Sequence, residues 1–353
     1  MATRNRNSQH KREEGRQKIV TLQDVAEQAG VTSMTVSRVI KGKGYVAAAT
    51  REKVLRIADE LNYTANLAAR ALATGRTGVI AVISGNLNQH YYANIVHLLE
   101  SQLTASGYQM RLLHTHADVK DLINSTNASA VDGVIVAGMY HLVEEFQALD
   151  PKLFQPCVFI DTVAHAGADH IHSNLGLAVE QALQMMMDAG RKRIAYVGLF
   201  SNLDFTGPLE IRMRTYRDMM ESQGRTPEFL SSHALPNFKS SDRIRALKEY
   251  LQANGSPDAL VCINDETAIL VYRALMDLGY RIPEDVLLVG CDGMDYMECF
   301  EPPLSTISQP LEEICAIAWR FLMRRIANPD VPLQCAKFDG KLVLRKSMQV
   351  EVG

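Results

Sequence analysis

From residue 78 onward the chain repeats one pattern, a short and nearly unbroken apolar run followed by a stretch with apolar residues three and four positions apart. Seven runs, at 79–83, 109–113, 133–137, 158–161, 194–198, 259–263 and 286–289, have the length and the branched aliphatic content of strands buried on both faces. Helical spacing lies between and after them at 94–106, 177–189, 211–223, 267–278 and 311–326. A strand without a polar face needs a helical layer on each side, so the pattern predicts open parallel sheets. Two such units fit the 353 residues, giving an α/β core of two doubly wound parallel-sheet lobes.

Open parallel sheets bind ligands beyond the carboxyl ends of their strands, and two lobes would share that edge across a cleft. Asp161, Asn264, Asp265 and Asp292 each stand at or just past the end of an apolar run. Carboxylates and amides in those places suit a polyhydroxylated ligand, because they accept from or donate to adjacent hydroxyls in pairs. Taken singly, an Asp or Asn after a strand more often caps the next helix, and Asp265 is assigned that role.

The segment ahead of the core has a different periodicity. Thr21, with Asp24 three positions later, starts a helix whose apolar stripe is Leu22, Val25, Ala26 and Ala29, and Gly30 ends it. Thr32 caps a second helix that turns Val36, Val39 and Ile40 inward and Ser33, Met34, Ser37 and Arg38 outward, with Gly42 and Gly44 closing it. A third helix opens at Thr50 and buries Val54, Ile57, Ala58 and Leu61. Two short helices joined through a Gly turn and braced by a third form an all-α helix-turn-helix, whose second helix is presented to the major groove of DNA. A plain packing module is the competing reading. Against it stand the small, hydrogen-bonding outer face of the second helix and the local charge. Residues 1–76 carry 14 Lys+Arg and 7 Asp+Glu, a net +7, whereas the whole chain has 37 and 40, leaving −10 for the rest. A basic head on an acidic body marks a phosphate-binding module attached to something that is not one.

Residues 20–40 (VTLQDVAEQAGVTSMTVSRVI), followed by TREKV at 50–54 and ELNY at 60–63, closely resemble the lactose-repressor (LacI/GalR) family of bacterial transcription factors, and the likeness continues almost to the end of the chain. The resemblance implies a repressor whose operator affinity is set by a small-molecule effector held in a periplasmic-binding-protein-like core, the effector being a sugar, sugar acid or nucleoside-like compound. It places Ser33 and Met34 on base edges, and Thr32, Thr35, Ser37 and Arg38 on bases or phosphates. A short hinge helix follows, in which Asn66, Ala69 and Leu72 meet DNA and Leu72 wedges into the minor groove. The family's usual Pro before that Asn is Ala65 here. Effector contacts carry over to Tyr91, Tyr92, Asp161, Arg212, Asn264, Glu266 and Asp292. Ser173-Asn174 stands where an Asp-Asn pair is usual, and Pro208 replaces a frequent Ser.

The implied organisation is a disordered basic arm at 1–18, a helix-turn-helix domain at 19–64, a hinge at 65–76 and a core at 77–353, with lobe 1 at 77–168 and 304–331 and lobe 2 at 169–303 and 332–353. Partners are double-stranded operator DNA, the effector and a second copy in a homodimer, since no heptad tail follows the final strand read at 341–347. No apolar run approaches the roughly 20 residues of a membrane span, and the polar first 18 residues lack a secretory core. A cytoplasmic protein with no membrane partner is expected. Six cysteines without a CxxC spacing suggest buried free thiols. No Walker A, GxSxG or HExxH motif occurs, so no catalytic residue, metal or cofactor is assigned. His114 with His116 and His170 with His172 could each pair on a strand face, but no third ligand is near and ordinary hydrogen-bonded histidines are the favoured reading. The alternative is a solute-binding sensor or transport protein without sequence-specific DNA binding.

Overall fold

The computed structural model describes residues 20–40, 44–61, 63, 76–114, 131–138, 156–161, 168–198, 210–231 and 239–349. The expected basic arm, the hinge residues Asn66, Ala69 and Leu72, and His116 lie outside the described residues. The chain divides into two compact units, Met1–Gly78 and Val79–Gly353.

In the first unit, α1 (Leu22–Ala29) begins at a full capping box in which Thr21 and Asp24 satisfy each other's backbone N–H, and Gly30 ends it in the left-handed region at φ 66°. Thr32 then accepts from the Thr35 N–H at 3.2 Å at the head of α2 (Ser33–Ile40). The third helix, α3 (Ala48–Glu60), starts at Ala48 rather than Thr50, and Ala47 at its N-cap offers no side-chain cap. Val25, Ala26, Ala29, Val36, Val39, Val54 and Ile57 close into one small core. Ile40, expected inside, is 36% exposed at the last residue of the helix.

The second unit holds two sheets. In chain order its elements are β1 (Val79–Ser84), α4 (His90–Ala105), β2 (Gln109–His114), β3 (Gly133–Ala137), β4 (Cys157–Ile160), β5 (Asp169–Asn174), α5 (Gly176–Asp188), β6 (Ile194–Gly198), α6 (Ile211–Ser222), β7 (Glu228–Ser231), α7 (Ser240–Asn254), β8 (Ala259–Cys262), α8 (Asp265–Asp277), β9 (Leu287–Cys291), β10 (Ser305–Ser308), α9 (Leu311–Ala327), β11 (Cys335–Asp339) and β12 (Lys341–Val343). Lobe 1 orders its strands β11-β5-β4-β3-β1-β2, all parallel; lobe 2 orders them β12-β10-β9-β8-β6-β7, with only β12 antiparallel. The central strands β1, β3, β4, β6, β8 and β9 bury almost every residue, as two-faced strands must. α4 and α9 cover one face of the first sheet through Ile95, Leu99, Ile314 and Leu322; α5 and α6, and α7 and α8, cover the two faces of the second.

The lobe boundaries differ from those expected. Asp169–Asn174 pairs with β4, Ser305–Ser308 with β9 and Cys335–Asp339 with β5, so the chain changes lobe after 174, after 308 and after 339. These strands are polar and join their sheets through backbone hydrogen bonds, which side-chain hydrophobicity does not reveal. The three crossings pack together, for a Cβ on Gly340 would lie 2.8 Å from Leu175 and 3.2 Å from Ile307. Residues 341–347, read as one strand, form β12 and then a 3-10 turn at Lys346–Met348 whose Ser347 hydroxyl bonds the carbonyl of Leu288 at 2.6 Å.

Candidate functional site

The outward face of α2 carries Met34, 64% exposed, and Arg38, whose side chain lies over Gly44. Ser33 and Ser37 are half-buried. Ser33 Oγ donates to Oε1 of Gln23 on α1, and the Thr32 and Thr35 hydroxyls bond each other at 3.0 Å. The hydroxyls of Thr32, Ser33 and Thr35 are thus held in fixed orientations at the start of α2. Gln23 had not been singled out; its place in the first turn of α1, ahead of the Gly turn, was the available signal.

In the core, the expected ligand residues gather where the carboxyl ends of the two sheets face each other. From lobe 1, Asp161 follows β4 in the left-handed region at φ 49° and is 3% exposed. Its Oδ2 accepts from the Tyr91 hydroxyl and its Oδ1 from the Ser173 N–H at 2.8 Å. The Tyr92 hydroxyl donates to the carbonyl of Gly138 at 2.7 Å, and its ring lies directly on Gly85, where a Cβ would stand 2.6 Å from it. Only glycine leaves that room. Burial raises the Tyr92 hydroxyl to about 12, with Arg212 opposing and Asp292 and Asp161 adding to the rise, so residues of both lobes act on one ring.

From lobe 2, Arg212 opens α6 but does not join a solvated face with Arg214 and Arg217. Its side chain is 14% exposed, turned inward to the Ile263 carbonyl and to Glu210 at 2.9 Å. Burial works against its charge, yet Glu210 and the groups around it hold it protonated. Glu210, which the sequence reading did not name, caps α6 through the Arg212 N–H at 3.1 Å; an acidic residue just before a helical stripe was the sign. Asp292 follows β9 at φ 119°, a strained value for any residue but glycine. Burial pushes its carboxyl well above the ordinary range; Arg212 opposes, and Asp265, Glu266 and Glu210 add to the rise.

Two assignments change. Asn264, not Asp265, is the cap of α8, accepting from the Thr267 N–H at 2.9 Å, so what it can offer a ligand is its amide NH2. Asp265 is fully buried and ties the end of β9 to β10, accepting from the Met294 N–H at 2.8 Å and the Thr306 hydroxyl at 2.7 Å. Gly290 makes this possible, since a Cβ there would meet the Asp265 carboxylate at 2.1 Å. Glu266 reaches across to lobe 1, where its Oε1 accepts the His90 N–H at 2.7 Å. His170 and His172 do share β5, and His170 Nδ1 lies 3.1 Å from the Ala168 carbonyl. Of the cysteines, Cys157, Cys262, Cys291 and Cys315 are buried, whereas Cys299 and Cys335 are exposed.

A three-helix head with a fixed polar helix face, followed in the chain by a two-lobed core whose strand ends meet, defines a DNA-binding regulator carrying a ligand-binding core. Residues 21–66 match the bacterial regulatory proteins of the lacI family, and 183–348 match the periplasmic binding protein-like domain. Catabolite control protein A of Staphylococcus epidermidis is 31% identical over 334 residues, spanning 89% of this chain and 96% of that protein. The transcriptional repressor PurR of Photobacterium profundum is 27% identical over 337 residues, spanning 94% and 99%. Among solved structures, the lac repressor dimer bound to operator and the anti-inducer ONPF superposes with a TM-score of 0.77 at 24% identity, over 94% of this chain and 100% of that one. A complex of the transcriptional regulator CelR with cellobiose superposes at 0.61 with 26% identity, over 93% and 99%. The chain belongs to the LacI family of bacterial regulatory proteins. It is a DNA-binding transcriptional regulator, and the reading as a solute-binding protein without sequence-specific DNA binding is not favoured. No helix among the described residues is long and apolar enough to cross a membrane.

Proposed function

We propose that the protein is a cytoplasmic, homodimeric repressor that binds without catalysis, and that a neutral polyhydroxylated effector in the core controls its grip on a pseudo-palindromic operator. The observation that carries this is the meeting of Tyr91, Tyr92 and Asp161 with Glu210, Arg212, Glu266 and Asp292 at the facing strand ends. Four carboxyl groups stand there against one guanidinium, and that guanidinium is already paired with Glu210. Such a site offers acceptors to hydroxyls and leaves no uncompensated positive charge for an anion, which narrows the expected range to neutral sugars and polyols ahead of sugar acids. Met34 reads bases by apolar contact, for instance with a thymine methyl, while Ser33, Thr35, Ser37 and Arg38 add polar contacts. Effector control requires that the open and closed lobes bind the effector unequally.

The test is a thermal-shift screen of neutral sugars, sugar acids and nucleosides, followed by retardation of promoter fragments from the protein's own gene neighbourhood. A neutral sugar that raises the melting temperature and alters retardation is the expected result. Stabilisation by sugar acids alone would overturn the charge argument.

A further inference from the structure

Glu266 occupies a place where a ligand contact was expected, yet its carboxylate spans the two lobes. It sits in the first turn of α8, at the carboxyl edge of the second sheet, and its Oε1 accepts the His90 N–H at 2.7 Å. His90 is the first residue of α4 in lobe 1, so that N–H is one of the four a helix leaves without an internal acceptor, and the positive end of the helix faces the carboxylate. A second contact lies beside it. The His90 imidazole meets the ring of Tyr296, on the 3-10 turn after β9, edge to face at 5.9 Å between centroids. Both contacts join lobe 1 to lobe 2 with the chain's own atoms, and both exist only when the lobes are close. The connections between the lobes run through 174–176, 308–311 and 339–341, at segments distant in sequence from this contact.

We propose that the Glu266 carboxylate and the His90 N–H form a latch that sets the intrinsic balance between closed and open core, and with it the effector concentration at which the protein responds. An interaction present in one arrangement and absent from the other shifts the equilibrium by its whole free energy. A charge-assisted hydrogen bond at a half-buried site is expected to shift it about tenfold. Effector that prefers the closed arrangement then binds about tenfold more weakly once the latch is cut, because the competent fraction falls. The predicted effect on operator binding rests on the reading that closure controls the grip; the latch itself does not.

The donor can be deleted without breaking the helix. Proline is favoured at the first position of a helix, and Gln89 before it already has the extended backbone that precedes proline, φ −93° and ψ 128°. His90→Pro thus removes the N–H together with the ring contact, Glu266→Ala removes the acceptor, and His90→Ala keeps the N–H while removing the ring contact. The measurement is the distance between spin labels at the exposed Ser101→Cys and Glu249→Cys in the full chain, with Cys299→Ser and Cys335→Ser as background. Glu266→Ala should raise the open-to-closed ratio about tenfold, His90→Pro should exceed it by the smaller factor that His90→Ala shows for the ring alone, and the double variant should go no further than His90→Pro. Unchanged distance distributions in both single variants, or a double variant equal to the product of the two, would overturn the latch. Altered distances with unaltered operator affinity would support the latch and reject control by closure.

Discussion

Asp161 separates hydrogen-bond geometry from charge at the site. Its buried carboxylate accepts from the Tyr91 hydroxyl through Oδ2 and from the Ser173 N–H through Oδ1, while its backbone sits at φ 49°. Asp161→Ala deprives two donors of this acceptor, at about 1–3 kcal/mol each when no other partner is found, or about 2–6 kcal/mol together. The left-handed backbone adds about 1 kcal/mol, since alanine has no short polar side chain to ease it. Asp161→Asn keeps an oxygen for Ser173, can reorient its amide toward the Tyr91 oxygen, and tolerates the positive φ, so its loss should stay within about 1.5 kcal/mol. Urea unfolding followed by circular dichroism measures both, and an effector titration on the folded Asn variant measures the charge. The expected pattern is a stability gap of at least about 1.5 kcal/mol between the variants, with weakened effector binding in Asp161→Asn. Equal destabilisation by the two would show that charge, not the pair of accepted hydrogen bonds, holds the residue, and would refute the reasoning.

Other outcomes follow from the same geometry. Met34→Arg should change which operator bases are preferred, whereas Arg38→Ala should weaken binding across sequences and lower the salt slope by about one; competition against base-substituted duplexes at several ionic strengths distinguishes them. Arg325 pairs with the buried Asp169 at 2.7 Å and also bonds the carbonyls of Pro329 and Val331, so Arg325→Ala should cost about 3–5 kcal/mol in urea unfolding by leaving a buried carboxylate without its counter-ion. Although burial alone would raise it, Arg325 and Gln334 hold the Asp169 carboxyl below its ordinary value. Its contribution is therefore present above the unfolded carboxylate range and lost as pH falls through the folded value, and Asp169→Asn should flatten acid unfolding there. Asp265 has the opposite sign. Burial raises it to about 6 against the hydrogen bonds from Thr306 and Met294, so its contribution is complete below about pH 4 and lost as pH rises toward 6, a slope that Asp265→Asn should remove from stability curves.

The central strands were legible because a strand covered on both sides must be apolar throughout, and the apolar runs 79–83, 133–137 and 194–198 lie within or coincide with β1, β3 and β6. Edge and crossover strands were not. β5, Asp-His-Ile-His-Ser-Asn, alternates in burial, and β11 is exposed or half-exposed throughout; both are strands only because β4 and then β5 offer them backbone partners. β10 is rich in hydroxyls whose needs are met from Arg345 and Asp265, distant in sequence. The same limit applied at the site. That Asp161, Arg212 and Asp292 lie near one another at the facing strand ends could be read from strand ends and resemblance, but Glu210 pairing with Arg212, Asn264 acting as the cap and Glu266 crossing the lobes depend on side-chain directions no spacing encodes.

The most direct test of a ligand-governed DNA switch is the affinity of the full-length protein for its operator duplex, measured by fluorescence anisotropy with and without a screened neutral sugar that stabilises the core. The account predicts that the sugar changes the dissociation constant about tenfold or more, and that the change disappears in Asp292→Ala while binding without sugar persists. A dissociation constant indifferent to a sugar that demonstrably occupies the core would contradict it.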